Sequence, residues 1–503
     1  MPLTIDLEYA PYVPLHRRLS DALRKAILEG RLKLGESVPS VRELSASHKL
    51  SKSTVVKAYN DLRKQGLLSS KSGSGTFVSL QLPDGDMGSL LEPSLSIAST
   101  GTAAKPAQLS KRGRKLYEIG QQHLRHQLEM SCLNYEAQYS DYPAIKQWKA
   151  LLLKRCHLPK DEDADLIADP FGLPALREAI AAYLHRRRSI LDQPDSICVF
   201  GTKQLRVELI SRLLLNQGDV VAYEDPGFPE IRYILLAHGA TIVPLSLDAE
   251  GLSVQALQSM PVPPKLIYIT PSSQDPLTTL MSLRRRKEIL DYAAQTGAFI
   301  LEDDFNSEFS YADEPLPALK ALDRHDSVIY MSTFWKVLYR SVSLSYVVFP
   351  SCLTNPARVA KLYMERSLPL VEQSALTDFL AQGYLEKHLQ RCRNKLTIGR
   401  QLLLGAVEKY LRNYSRKVCV IGSTYLILEF NQELDEVVIE TAARQSGFQI
   451  GSTRSYYCNS PRYGQYIVPF ATVIDDTIFG IVENFSDLLK TSQRFQQNEN
   501  EDR

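Results

Sequence analysis

The sequence predicts a multidomain chain: a small helical module closed by a β-hairpin, then a tether, then a much larger α/β domain. Three observations carry this. Apolar stripes at helical spacing fill residues 14–66 and give way to two short strands around a Ser/Gly tip. Periodicity vanishes from about Gln81 to Gln108, where small, polar and turn-forming residues dominate. From Leu133 onward helical stretches alternate with short continuous apolar runs, the pattern of parallel strands buried on both faces.

In the small module, Leu15, Leu19, Ala22, Leu23, Ala26 and Ile27 make one helical stripe, which Gly30 ends. Ser40-Val41-Arg42-Glu43 is a capping box that opens a second helix. Ser51 caps a third, on which Val55, Ala58, Tyr59 and Leu62 face inward and Gly66 ends the run. The opposite face carries Lys52, Ser53, Val56, Lys57 and Asn60. Leu67 to Val78 reads as a hairpin with its tip at Ser72-Gly73. Three helices and a wing make a winged helix-turn-helix, whose third helix has the size of a major groove.

Charge agrees with that reading. Residues 1–80 carry 13 Lys and Arg against 7 Asp and Glu, which leaves the rest of the chain at −4 within a net charge of +2. A basic head on a mildly acidic body suits a polyanion partner. The seven cysteines are scattered and never spaced as CxxC, which argues for a reducing compartment and against a zinc or disulfide framework. The first residues lack a signal-peptide pattern and no apolar run reaches membrane-spanning length, so a cytoplasmic location is expected.

In the large domain, the apolar runs 196–200, 219–223, 266–269, 298–301 and 327–330 are the expected strands. Chemistry in such folds collects on loops at the carboxyl ends of strands. Three candidate segments lie there: Gly201-Thr202-Lys203-Gln204, Glu302-Asp303-Asp304, and Met331 to Lys336. A Gly/Thr turn opening a helix can hold a phosphate on backbone N–H groups. A lysine can form a Schiff base with an aldehyde cofactor, and an aspartate can pair with a pyridinium nitrogen.

The module resembles the GntR family of bacterial regulators over Pro14-Leu15 to Leu32, Leu34-Gly35-Glu36-Ser37-Val38-Pro39-Ser40-Val41-Arg42-Glu43-Leu44, Ser53 to Tyr59, and Gly73-Ser74-Gly75-Thr76-Phe77-Val78. The resemblance implies double-stranded operator DNA as partner, with Arg42, Lys52, Ser53, Thr54, Lys57, Ser72 and Gly73 as candidate DNA-binding residues. Position 56, often basic in that family, is Val here.

The body resembles the aminotransferase-like domain of the MocR/GabR-type branch of that family. The blocks are Asp169-Pro170-Phe171-Gly172 through Leu176-Arg177, Glu224-Asp225-Pro226-Gly227-Phe228-Pro229, Met281 to Arg286, Glu302 to Phe309, and Thr333-Phe334-x-Lys336. The implied fold class is an N-terminal winged helix-turn-helix plus an α/β fold type I aminotransferase-like domain dependent on pyridoxal phosphate (PLP). The implied cofactor residues are Lys336 (Schiff-base lysine), Asp303 (pyridine nitrogen), Thr333 with Thr202, Lys203 and Gln204 (phosphate), Phe228 (ring stacking) and Phe305. Expected boundaries are 12–80 for the head, 81–125 for a flexible linker, 126–492 for the sensing and dimerising body, and 493–503 for a disordered tail.

Departures from the pattern cluster around the cofactor. Phe305 replaces a Tyr that donates to the cofactor, Ile167 a Tyr that reaches the partner subunit's phosphate, and Ser343 a basic residue. Arg340 lies near Ser343 in sequence, and the segments Ser273-Gln274-Asp275-Pro276-Leu277-Thr278 and Tyr466-Ile467-Val468-Pro469-Phe470 depart from the usual wording. The arginine that grips a substrate carboxylate has no clear counterpart, with Arg454 and Arg462 as weak candidates. The expectation is a transcription regulator rather than an enzyme, with no catalytic residues, no metal, an amino-compound effector and a homodimer. The rivals are an aminotransferase with an appended DNA-binding head, and a regulator whose PLP site has degenerated.

Overall fold

A computed structural model describes residues 14–28, 32, 35–48, 50–71, 75–79, 109–130, 142–156, 169–304, 306–309, 316–334, 342–365, 368–419 and 424–501. The chain divides into two compact units, Met1–Pro106 and Ala107–Arg503.

The first unit holds α1 (Leu15–Leu28), α2 (Val41–Ser47) and α3 (Lys52–Lys64), then β1 (Leu68–Lys71) and β2 (Gly75–Val78). The capping box forms as expected: Ser40 Oγ accepts from Glu43 N at 3.2 Å and Glu43 Oε2 accepts from Ser40 N at 2.8 Å. Ser51 caps α3 by accepting from Thr54 N at 3.1 Å. Leu19, Leu23, Ala26, Leu44, Val55, Ala58, Tyr59 and Leu62 form one buried cluster with Val38, Leu68 and Val78. The wing is tied to this core by a third extended segment: Val78 N donates to Glu36 O (2.8 Å) and Val38 N to Thr76 O (2.9 Å). Tyr59 Oη donates to Pro39 O at 2.6 Å, fixing α3 against the segment that enters α2.

The second unit begins with α4 (Lys111–Met130) and α5 (Tyr142–Cys156). Then come α6 (Pro174–Arg188), β3 (Ile197–Phe200), α7 (Lys203–Leu214), β4 (Val220–Asp225), α8 (Pro229–Ala237), β5 (Thr241–Asp248), β6 (Gly251–Leu252), α9 (Val254–Gln258) and β7 (Leu266–Ile269). After these follow α10 (Leu283–Thr296), β8 (Phe299–Asp303), α11 (Leu319–Leu322), β9 (Val328–Thr333), β10 (Ser345–Val348), α12 (Ser351–Met364), α13 (Leu370–Ala381) and α14 (Tyr384–Tyr410). The last elements are β11 (Ser415–Cys419), β12 (Tyr425–Phe430), α15 (Glu436–Ser446), β13 (Gly451–Ser452), β14 (Gln465–Pro469) and α16 (Thr477–Glu501).

Eight strands form one sheet in the order β3-β10-β9-β8-β7-β4-β5-β6. Strands β9, β8, β7, β4 and β5 are parallel, while β10 is antiparallel to both β3 and β9, so β3 shares their direction. All five apolar runs are strands of this sheet; β5, the short β6 and the antiparallel β10 were not among them. The continuous runs have the predicted cause: Ile197 and Val199 join one core cluster while Cys198 and Phe200 join another, burying β3 on both faces. A second, antiparallel sheet has the order β11-β12-β14-β13.

Two boundaries differ from expectation. The tether was expected to reach residue 125, but α4 starts at Lys111, where Ser110 Oγ accepts from Gly113 N at 3.0 Å and Arg114 N donates to Ser110 O at 2.9 Å. A capped start puts Lys111, Arg112, Arg114 and Lys115 in the opening turns of a helix. Residues 81–108 lie outside the described residues. The tail expected from 493 is instead a continuation of α16, whose sequence has no glycine or proline after Gly480 to stop it.

Candidate functional site

On the first unit, Lys52, Ser53, Val56, Lys57 and Asn60 are exposed along one side of α3, and Arg42 is exposed near the start of α2. Thr54 is turned back: its Oγ1 lies 2.7 Å from Ser51 Oγ, so it belongs to the helix cap. Ser53 Oγ is in the same network at 2.9 Å from Ser51 Oγ. Ser72 and Gly73 lie outside the described residues. The arrangement is a helix with two outward ammonium groups and an apolar Val56 between them, able to meet phosphates and a thymine methyl.

On the second unit, strand direction decides what meets. Because β3, β4, β7, β8 and β9 run the same way, the 201–204 turn, Phe228, Asp303 and Thr333 all follow the carboxyl ends of strands on one edge of the sheet. Thr333 is paired with Ser345, which is paired on its other side with Phe200, and Asp303 is in register with Met331. Lys336 and Phe305 lie outside the described residues, as do Ile167 and Arg340.

The turn opens α7, whose first N–H groups have no partner within the helix. Thr202 is its cap, with Oγ1 3.4 Å from Leu205 N. The side chains of Lys203 and Gln204 do not point along the helix axis. Lys203 Nζ is 2.7 Å from Glu230 Oε2 and 4.7 Å from the centre of the Phe228 ring. Gln204 Nε2 reaches the same Glu230 oxygen at 3.4 Å. Gly201 N donates to the Glu365 carboxylate at 3.2 Å.

Asp303 is buried and accepts a hydrogen bond from Tyr268 Oη at 3.1 Å. Tyr268 stacks on Tyr223 with ring centres 4.8 Å apart, and Tyr223 Oη donates to the carbonyl of Phe228. One array of aromatic rings thus runs from Asp303 to Phe228. Gly227 makes the last bend possible, since a Cβ there would lie 2.4 Å from Glu224 O and 2.6 Å from the Tyr223 ring.

Buried charge surrounds Asp303. Arg206, 2% exposed, donates from Nη1 to Ser332 O at 2.6 Å. Burial pulls its guanidinium below the ordinary arginine pKa, and the Asp303 carboxylate is the strongest group opposing that fall. Behind Asp303, Asp304 Oδ2 takes Arg188 Nε at 2.7 Å and Tyr330 Oη at 2.6 Å, while Arg188 Nη2 donates to Ser272 Oγ at 2.6 Å. At the end of β4, burial pushes Glu224 up to about 7 despite hydrogen bonds from Thr270 Oγ1 (2.6 Å) and N (3.1 Å).

Glu224 supplies a pH prediction. Its folded pKa lies above the unfolded value, so its contribution is greatest at low pH and is lost as pH rises through about 7. Thermal unfolding between about pH 5 and pH 8 should show stability falling by roughly 2–3 kcal/mol from this group. Glu224→Gln, which mimics the protonated form, should flatten that part of the curve. An unchanged slope in the variant would rule out the assignment.

The surroundings of Ile467, where the sequence reading expected no substrate clamp, are apolar. Ile467 packs with Tyr425, Ile427 and Tyr456 in a buried cluster that Phe228 joins. Arg454 is exposed and paired with Glu436, and Arg462 lies 3.9 Å from Glu429, so neither stands in for the missing arginine. Ser343 is exposed, its backbone N donating to Glu372 Oε1 at 3.2 Å. Asp275 is held by Tyr425 Oη at 2.9 Å. The two sheets are joined across this region. Gly227 N donates to Tyr456 O at 3.0 Å, Cys458 N donates to Asp225 Oδ1 at 2.8 Å, and Arg232 donates to Ser455 O and Tyr456 O at 2.6 and 3.1 Å. Sequence reading did not find Arg206, Glu230, Tyr268 or the Arg188–Asp304 pair. Burial of a charge is a tertiary fact, and only Arg206, charged between apolar neighbours, gave a local hint.

Residues 15–78 match the family described as bacterial regulatory proteins, gntR family, and residues 134–338 match aminotransferase class I and II. The chain is 30% identical over 475 residues to the probable rhizopine catabolism regulatory protein MocR of Rhizobium meliloti, covering 93% of this chain and 92% of that one. It is 24% identical over 489 residues to the pyridoxine biosynthesis transcriptional regulator PdxR of Corynebacterium glutamicum, covering 97% and 98%. Among solved structures, Pyrococcus horikoshii kynurenine aminotransferase superposes with a TM-score of 0.62 at 23% identity, over 69% of this chain and 87% of that one, which establishes the fold of the body.

A DNA-binding winged head on a type I aminotransferase fold defines a transcription regulator, and the relatives favour that over an enzyme with an added head. The chain belongs to the MocR-type branch of the GntR family of bacterial regulatory proteins. Among the described residues no helix is long and apolar enough to cross a membrane.

Proposed function

We propose that the body senses PLP, an amino compound that reacts with it, or both, and that this controls operator binding by the head in the bacterial cytoplasm. The observation that carries the reading is the convergence of Asp303, Thr333, Phe228 and the 201–204 turn on one sheet edge, beside an apolar cluster where a substrate clamp would be.

The donor set fits the cofactor. The N–H groups of the turn suit its phosphate, Phe228 its ring, and Asp303, braced by Tyr268, its ring nitrogen. Asn306, three residues after Asp303, is 1% exposed with neither amide atom partnered among the described residues, as expected beside a missing polar group. When bound, the group would supply an aldehyde for amines, with Lys336 as the resident amine. The protein's residues would hold and orient it. Ile467 offers a substrate carboxylate no charge, which favours recognition over turnover. Ligand binding would shift the balance between operator-bound and free forms. A two-fold dimer would match paired half-sites on DNA.

The test is a spectrum and a binding curve on the full-length chain. Added PLP should give a protein-bound chromophore that survives desalting and is absent from Lys336→Ala. PLP or an amino compound should also change affinity for a duplex selected from a random library by the protein itself. Transamination at enzyme-like rates, or a chromophore indifferent to Lys336, would overturn the proposal.

A further inference from the structure

Lys203 stands where an anionic ligand would meet the turn, yet its ammonium is committed elsewhere. It is the first residue of α7, and its Nζ is 2.7 Å from Glu230 and 4.7 Å over the Phe228 ring. The opposite partner is built to hold and release it. Glu230 is buried in the first turn of α8, where the helix dipole favours a carboxylate, and Gln204 Nε2 remains 3.4 Å from it. If Lys203 leaves, Glu230 keeps two sources of stabilisation. Lys203 is the more exposed partner, at 30% against 11% for Glu230. Phe228 meanwhile packs on Tyr456 with ring centres 6.5 Å apart, and the lysine ammonium lies over the ring.

We propose that Lys203 and Glu230 form an internal latch over the anion-binding turn, opened by an aromatic phosphate monoester. The ligand's phosphate draws the ammonium from Glu230 to itself, and the same movement uncovers Phe228 for the ligand's ring. The latch rests on the cofactor reading above. It makes Lys203 a positioning and selectivity residue, and makes Glu230 an internal competitor of the phosphate. Because Glu230 keeps Gln204 and the helix N-terminus when the ammonium leaves, the latch tunes affinity without blocking binding.

The experiment measures equilibrium affinity of the full-length protein for PLP and for pyridoxal, which lacks the phosphate, in wild type, Glu230→Gln and Lys203→Gln. Glu230→Gln should bind PLP about two- to fivefold more tightly. Lys203→Gln should lower PLP affinity about tenfold while leaving pyridoxal unchanged or improved, because the ring face is then clear. A purely structural role would move both ligands together. An unchanged PLP-to-pyridoxal ratio in Lys203→Gln, or weaker PLP binding in Glu230→Gln, would overturn the latch. If wild type binds neither compound, the cofactor reading fails, and inorganic phosphate decides the latch separately. At matched ionic strength its thermal stabilisation should be larger in Glu230→Gln than in wild type and lost in Lys203→Gln. Equal stabilisation of all three would sink it.

Discussion

Asp304→Ala is expected to destabilise the second unit by roughly 3–5 kcal/mol, the largest effect of any single substitution in the site region. The pair it breaks is almost wholly buried, with side-chain exposure of 7% for Arg188 and none for Asp304. Among the described residues, removing the carboxylate leaves the guanidinium in the interior with Ser272 and the carbonyl of Leu316 as its side-chain partners, and leaves Tyr330 Oη without its acceptor. Burying an uncompensated charge costs more than the pair itself contributes, so Arg188→Met combined with Asp304→Leu should recover much of the loss. Denaturant titration of the three proteins checks this. A double variant as unstable as Asp304→Ala alone would mean that shape, not charge, sets the cost.

Lys52→Ala combined with Lys57→Ala should weaken operator binding by about 10–100-fold and lower the salt slope by about two, one for each phosphate that an ammonium group no longer neutralises. Both ammonium groups are exposed on the outward side of α3, and neither supports the buried face formed by Val55, Ala58, Tyr59 and Leu62. The thermal midpoint should therefore not move. Val56→Lys, by comparison, should strengthen binding to any duplex and reduce discrimination among sequences, since it replaces an apolar reader with a phosphate contact. Affinity measured against salt on the selected duplex and on a scrambled one separates these outcomes. A salt slope unchanged in the double variant would place the DNA elsewhere.

Much of this was legible because local rules and global fold agree. Ser40 and Ser51 announced helix starts, Gly66 announced an end, and unbroken apolar runs announced strands buried on both faces, while Gly30 lies outside the described residues. The order of strand-end segments also brought Asp303, Thr333 and the 201–204 turn to one edge without knowledge of register. The rest depended on what side chains meet. Lys203 and Gln204 were expected to face a phosphate but are held by Glu230, 26 residues away from Gln204 in sequence. Asp303 was expected to pair with a pyridine nitrogen, and the hydrogen bond it accepts from Tyr268 on the neighbouring strand was not read. The helix α4 was hidden because its first turn is all polar, so charge read as linker where Ser110 in fact starts a helix.

The bonds that join the two sheets have a mechanical consequence. Arg232, Gly227 and Asp225 all lie within eight positions of one another around Phe228, and each is tied to the 455–458 loop of the smaller sheet. The seam between the sheets therefore runs through the seat proposed for the ligand, so whatever displaces Phe228 loads the hydrogen bonds that hold the smaller sheet to the larger one.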